Sequence, residues 1–146
     1  MSTNVLLVDD EETFVLTLAK RLTLRRFNVF TATSADRAFA TLDEHRIDVV
    51  LLDVKMPDLD GIEATRDIKA AHPLIEVILL TGHASMEASL EGMRFGAFDY
   101  LLKPVNIDEL VYKIEDAYRK KQLQEEKIRH LENRTDGVAD GDELTK

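Results

Sequence analysis

The residues with the chemistry to act on a substrate stand at the ends of short apolar runs. Asp9 and Asp10 follow Val5-Leu6-Leu7-Val8, Asp53 follows Val49-Val50-Leu51-Leu52, Thr81 follows Val77-Ile78-Leu79-Leu80, and Lys103 follows Tyr100-Leu101-Leu102. Three carboxylates brought to one place repel and desolvate one another unless a cation compensates them. An all-oxygen ligand set without His or Cys suits a hard divalent ion, and Mg²⁺ in particular, which keeps waters and accepts phosphate oxygens. A carboxylate can itself attack phosphorus, provided the charge on the phosphoryl oxygens is neutralised. Lys103 as a point charge and Thr81 as a hydroxyl donor can supply that neutralisation.

For these groups to meet, the chain must align the runs that carry them. The apolar runs read as strands: 5–8, 29–33, 48–52, 75–80 and 98–102. Between them apolar residues recur at helical spacing, as in Val15, Leu18, Ala19 and Leu22. The other faces are Ala35, Ala38, Phe39 and Leu42; Ile62, Thr65 and Ile68; Met86, Ser89, Leu90 and Met93; and Ile107, Leu110, Val111, Ile114 and Tyr118. Strict alternation of strand and helix over residues 4 to 119, with runs that are continuously rather than alternately hydrophobic, predicts an α/β fold: a parallel sheet covered on both faces. Right-handed crossovers then place every strand's carboxyl end along one edge, where ligands bind in such folds.

Composition agrees with one soluble domain. The chain has 146 residues, 45% hydrophobic and 32% charged, enough for a single core. Its formal charge of −9 repels phosphate backbones and argues against direct nucleic-acid binding. With no cysteine there is no disulfide, zinc-thiolate or thiol chemistry. No apolar stretch is long enough to span a bilayer, and the expected setting is the cytoplasm, away from membranes.

The residues resemble a known family, the receiver domain of bacterial-type two-component response regulators. The resemblance rests on Val8-Asp9-Asp10, on Leu52-Asp53-Val54-Lys55-Met56-Pro57-Asp58-Leu59-Asp60-Gly61, on Leu80-Thr81-Gly82 and on Tyr100-Leu101-Leu102-Lys103-Pro104, in that order along residues 4 to 119. Singly, each piece has a structural explanation: an acid beside a helix start is an N-cap, and a lone lysine is a solvated charge. Together, each at a strand end, they form a specific set. The resemblance implies a flavodoxin-like sheet of order 2-1-3-4-5 with five helices, an order recognised rather than derived. It implies that Asp53 accepts a phosphoryl group from a histidine kinase or phosphotransfer protein, and that Mg²⁺ is bound by Asp10, Asp53, the Lys55 backbone carbonyl and, through water, Asp9. It further implies that Thr81, Gly82 and Lys103 hold the phosphoryl group, that Thr81 and Tyr100 switch, that Lys55 and His83 tune its lifetime, and that the Lys103–Pro104 bond is cis. The protein would turn over no external metabolite. Two other readings are a phosphorylation-independent pseudo-receiver and a Mg²⁺-dependent Asp-nucleophile phosphatase. Lys55 stands where such phosphatases usually carry a second Asp, which weakens the latter. Thr81-Gly82-His83-Ala84-Ser85 also resembles receivers that precede ATPase-type transcriptional activators.

The receiver is expected to span 1–119, followed by a helical extension or linker at 120–133 and a disordered tail at 134–146. Ile107, Ile114, Lys121 and Ile128 repeat every seven residues, as do Leu110, Ala117, Gln124 and Leu131, suggesting a homodimer seam through residues 107–131. The Asp136–Gly141 run resembles a calcium loop, but Val138 replaces a ligand and the closing Glu is missing, so calcium binding is rejected. His45, His72 and His130 are scattered and carry no site.

Overall fold

A computed structural model describes the backbone of residues 2–145 and the side chains of residues 2–134. In chain order the elements are β1 (Asn4–Val8), α1 (Glu12–Leu24), β2 (Asn28–Ala32), α2 (Ala35–Glu44), β3 (Val49–Asp53), β4 (Lys55–Met56) and β5 (Leu59–Asp60). They continue with α3 (Gly61–Ala71), β6 (Glu76–Thr81), a 3₁₀ turn (His83–Ser85), α4 (Met86–Arg94), β7 (Asp99–Leu102) and α5 (Ile107–Thr145). Five strands form one sheet in the order β2-β1-β3-β6-β7, all paired in parallel. This is the doubly wound order expected by resemblance.

Side chains of a strand alternate between faces, and both faces of this sheet are buried. Leu6, Val8, Val50, Leu52, Val77 and Leu79 pack with Ala38 and Leu42 of α2 and with Ile62 and Ile68 of α3. Val5, Leu7, Val49, Leu51, Ile78 and Leu80 pack on the other face with Val15, Leu18 and Leu22 of α1 and with Leu110, Ile114 and Ala117 of α5. The central strands β3 and β6 are buried along their whole length, which is why their sequences show no polar alternation.

Strand limits fall within a residue or so of those read from the sequence. Asp53 and Thr81 are thereby the last residues of β3 and β6 rather than the first residues beyond them. The short antiparallel β4–β5 ribbon, pairing Lys55 with Asp60 and Met56 with Leu59, was not anticipated. It turns the chain so that Asp60 caps α3, accepting from the Ile62 amide at 2.9 Å.

The fifth helix runs without a break past 119 through residues 120–133, the expected helical extension or linker. The expected disordered tail, 134–146, falls almost wholly outside the residues whose side chains are described, and the backbone assignment there continues as helix to Thr145. The residues of the expected dimer seam through 107–131 divide into two groups. Leu110, Ile114, Ala117 and Lys121 are buried against the protein's own sheet, so the first half of the seven-residue repeat serves the domain core. Beyond it, Ile128 and Leu131 are exposed.

The register of α5 is set by charge as well as by apolar packing. Asp48 and Glu76, just before and at the start of the two central strands, are buried carboxylates at the amino edge of the sheet. Asp48 Oδ2 accepts from the Asn4 amide at 2.8 Å, while Oδ1 has no aligned donor and lies 3.1 Å from Lys121 Nζ. Lys121 also pairs with Glu125 at 2.9 Å. Glu76 lies 3.6 Å from Lys69 Nζ and 3.5 Å from Lys120 Nζ, and burial lowers the Lys69 pKa from its ordinary value. Removing one partner of a buried pair strands the other in low dielectric. Lys121→Ala is therefore expected to cost about 3 kcal/mol in urea unfolding. Adding Asp48→Asn should recover much of that loss, since the stranded charge is then gone.

Candidate phosphoacceptor and metal site

The carboxyl ends of β1, β3, β6 and β7 bring Asp9, Asp10, Asp53, Thr81 and Lys103 to one edge, as the alternation requires. One carboxylate oxygen from each of Asp9, Asp10 and Asp53 lies within 4.8 Å of the others. Their settings differ. Asp9 is 1% exposed and Asp53 9% exposed, whereas Asp10 faces solvent.

Asp9 is fully engaged. Its Oδ1 accepts from the Glu11 amide at 2.9 Å, tying it to the start of α1, and its Oδ2 accepts from Lys103 Nζ at 2.7 Å. Lys103 reaches Asp53 less closely, with Nζ 3.7 Å from Oδ1. Its backbone amide donates to the Thr81 carbonyl at 2.8 Å, which fixes the stem at the end of β7. Asp53 Oδ1 also accepts a long hydrogen bond from the Lys55 amide at 3.4 Å. Burial, reinforced by the negative charge of Asp9, raises the Asp53 carboxyl pKa from 3.8 to about 6, against the opposing pull of Lys103.

The loop beyond Asp53 is held by close backbone approach. The Gly61 amide donates to the Val54 carbonyl at 3.1 Å. A Cβ at Gly61 would lie 2.7 Å from Val54 Cα, so only glycine fits without moving the chain next to Asp53. Gly82, by contrast, borders open space: a Cβ there would meet nothing within 4 Å.

The remaining expected residues surround this cluster without joining it. Thr81 is buried, and its hydroxyl donates to the Gly82 carbonyl at 3.1 Å rather than to a carboxylate. Tyr100 is half-buried and packs against the α2–α3 side of the core. The Lys55 and His83 side chains are exposed, on β4 and at the first position of the 3₁₀ turn. The Lys103–Pro104 peptide is cis, as expected. Sequence reading missed Phe14, whose ring centroid lies 4.4 Å from Lys103 Nζ. It lies four residues before Leu18 on the apolar side of α1, so its spacing reads as core packing and nothing local points to Lys103.

Three comparisons agree with this geometry. Residues 5–115 match the response regulator receiver domain. The chain belongs to that family. It is 35% identical over 127 residues to the regulatory protein AtoC of Escherichia coli, covering 87% of this chain and 27% of that protein. It is 34% identical over 120 residues to the DNA-binding transcriptional regulator NtrC of Klebsiella pneumoniae, covering 82% of this chain and 26% of that protein. The chain thus spans about a quarter of the length of these curated relatives. Among solved structures, a response regulator receiver domain protein from Clostridium thermocellum superposes with a TM-score of 0.80 at 35% identity, covering 84% of this chain and 98% of that one. No helix among the described residues is long and apolar enough to cross a membrane.

A carboxyl group with a raised pKa makes a definite contribution to stability. The folded chain holds the Asp53 proton more tightly than the unfolded chain does, so ionising Asp53 costs stability as pH rises from near 3.8 through about 6. In buffer stripped of divalent ions, Asp53→Asn is expected to be more stable than wild type by about 1–3 kcal/mol above about pH 7. The difference should shrink toward zero below about pH 4. Thermal unfolding of both proteins across that range checks the sign.

Proposed function

We propose that this receiver domain is a phosphorylation-activated switch of a two-component phosphorelay. Asp53 accepts a phosphoryl group from the phosphohistidine of a sensor histidine kinase or phosphotransfer protein, and the change is read by other proteins. The observation that carries this reading is the placement of Asp53: a nearly buried carboxylate between two further carboxylates, with one ammonium within 4 Å. With its pKa raised to about 6, the carboxyl is mostly ionised near neutral pH and more basic than an exposed aspartate. One Asp53 oxygen attacks phosphorus as the bond to the histidine nitrogen breaks, leaving an acyl phosphate on Asp53 and the imidazole on the donor.

The donor set fits a hard divalent cation, since three carboxylates converge and, among the described residues, Lys103 brings one ammonium to them. Mg²⁺ would be held by Asp10, Asp53 and the Lys55 backbone carbonyl, with Asp9 acting through water. Bound there, it supplies charge neutralisation to the phosphoryl oxygens. The chain's own residues do the rest. Lys103, at rest nearer Asp9 than Asp53, moves toward the new dianion. Thr81 exchanges its bond to the Gly82 carbonyl for one to a phosphoryl oxygen, and Gly82 leaves that approach open. Tyr100 moves inward into the space Thr81 vacates. These are differential contacts of one ligand with two packings, which is what a population shift requires.

The face formed by α4, β7 and α5 borders these residues and is the proposed output surface. A relative named as a DNA-binding transcriptional regulator, of which this chain covers about a quarter, supports a role in controlling a transcriptional output. The switch would operate in the cytoplasm.

Intact mass after exposure to acetyl phosphate is expected to show one Mg²⁺-dependent phosphoryl adduct in wild type and none in Asp53→Ala. A folded wild type without an adduct would instead favour a phosphorylation-independent interaction module. Lys55 and His83 flank Asp53 and Thr81 by two residues each. Lys55→Ala and His83→Ala are each expected to change the adduct's half-life several-fold, and unchanged decay in both would remove them from the tuning role.

A further inference from the structure

Lys103 has to be in place before a phosphoryl group arrives, yet its carboxylate partners alone do not fix it. Its Nζ is 2.7 Å from Asp9 Oδ2 and 3.7 Å from Asp53 Oδ1, and a quarter of the side chain is open to solvent. An ammonium on a four-carbon stem is strongly hydrated and has many rotamers to lose. On the third side lies Phe14, whose ring centroid is 4.4 Å from Nζ, well within the range of a cation–π contact.

Phe14 stands in the first turn of α1, next to the buried stripe formed by Val15, Leu18 and Leu22. It is half-buried, so its ring is only partly committed to the core. The turn that carries it is anchored to the site, because the Glu11 amide at its head donates to Asp9. The attraction of a ring face for an ammonium does not favour one carboxylate over another. Nζ can therefore slide from Asp9 toward Asp53 without leaving the pocket, which a third hydrogen-bond acceptor would resist.

We propose that Phe14 is a positioning residue for phosphoryl transfer at Asp53, its ring face keeping the Lys103 ammonium over the Asp9–Asp53 pair. This rests on the reading of Asp53 as phosphoacceptor. Leucine at position 14 keeps an apolar side chain of similar reach but has no ring face, whereas tyrosine keeps the face.

The test compares wild type, Phe14→Leu and Phe14→Tyr in the full chain with Mg²⁺ and acetyl phosphate, following Asp53 phosphorylation by intact mass. Phe14→Leu is expected to lower the maximal rate about 3- to 10-fold, with little change in the half-saturating donor concentration. Phe14→Tyr should stay within about twofold of wild type, as expected where the ring face is retained. The ε-methylene protons of Lys103, lying near a ring face, should resonate upfield in wild type and Phe14→Tyr and lose that shift in Phe14→Leu. Wild-type rates in Phe14→Leu, or equal loss in both variants, would overturn the proposal. A wild-type chain that takes up no phosphoryl group overturns the reading of Asp53 and this inference together. A wild type that is phosphorylated while Phe14→Leu is unaffected overturns this inference alone.

Discussion

Three carboxylates and one ammonium share the carboxyl edge of the sheet, and the negative charge they leave uncompensated is the constraint on which the site depends. Water could screen that charge on an open surface, but Asp9 and Asp53 are withdrawn from it. The fold meets part of the cost with fixed dipoles and one cation: the Glu11 amide and Lys103 on Asp9, and the Lys55 amide on Asp53. The rest appears as the raised pKa of Asp53. A site left with unbalanced negative charge gains most from a cation, because positive charge relieves both the mutual repulsion of the carboxylates and the cost of their burial.

The opposite edge resolves a similar problem differently. Asp48, just before β3, and Glu76, at the start of β6, are also buried carboxylates, but α5 brings a lysine to each and α3 a second to Glu76. Charge there is paired within the fold, and its effect is mechanical. Lys120 and Lys121 bind the middle of α5 to the sheet, so the helix leaves the domain in a direction set by the central strands. The two ends of β3 and β6 thus have opposite characters, one carrying unbalanced charge and one paired.

Much of the α/β architecture was legible because its signals are local. Continuous apolar runs of four residues at 49–52 and 77–80 fit strands covered on both sides, and the helical spacing between them fits parallel crossovers. The gathering of Asp9, Asp10, Asp53, Thr81 and Lys103 follows from that topology. Less was legible where one pattern serves two purposes. The seven-residue repeat of α5 suits a helix pair and a domain core equally, and the sheet takes Leu110, Ile114 and Ala117 into the core. A glycine in sequence can serve a positive φ or a close backbone approach, and at Gly61 only the proximity of Val54 shows that it serves the second.

Residue type and order by themselves determined the fold class, the edge on which chemistry gathers and the identities of the groups that meet there, because strand period and crossover handedness leave few ways to arrange such a chain. Tertiary structure alone decided how those groups divide their contacts. That Lys103 rests nearer Asp9 than Asp53, that Thr81 turns its hydroxyl to Gly82, and that Phe14 faces the ammonium are outcomes of packing between elements far apart in sequence. So is the capture of Lys121 by Asp48. Such contacts depend on distances of a few ångströms between side chains that no local pattern relates, and only the closed fold sets them.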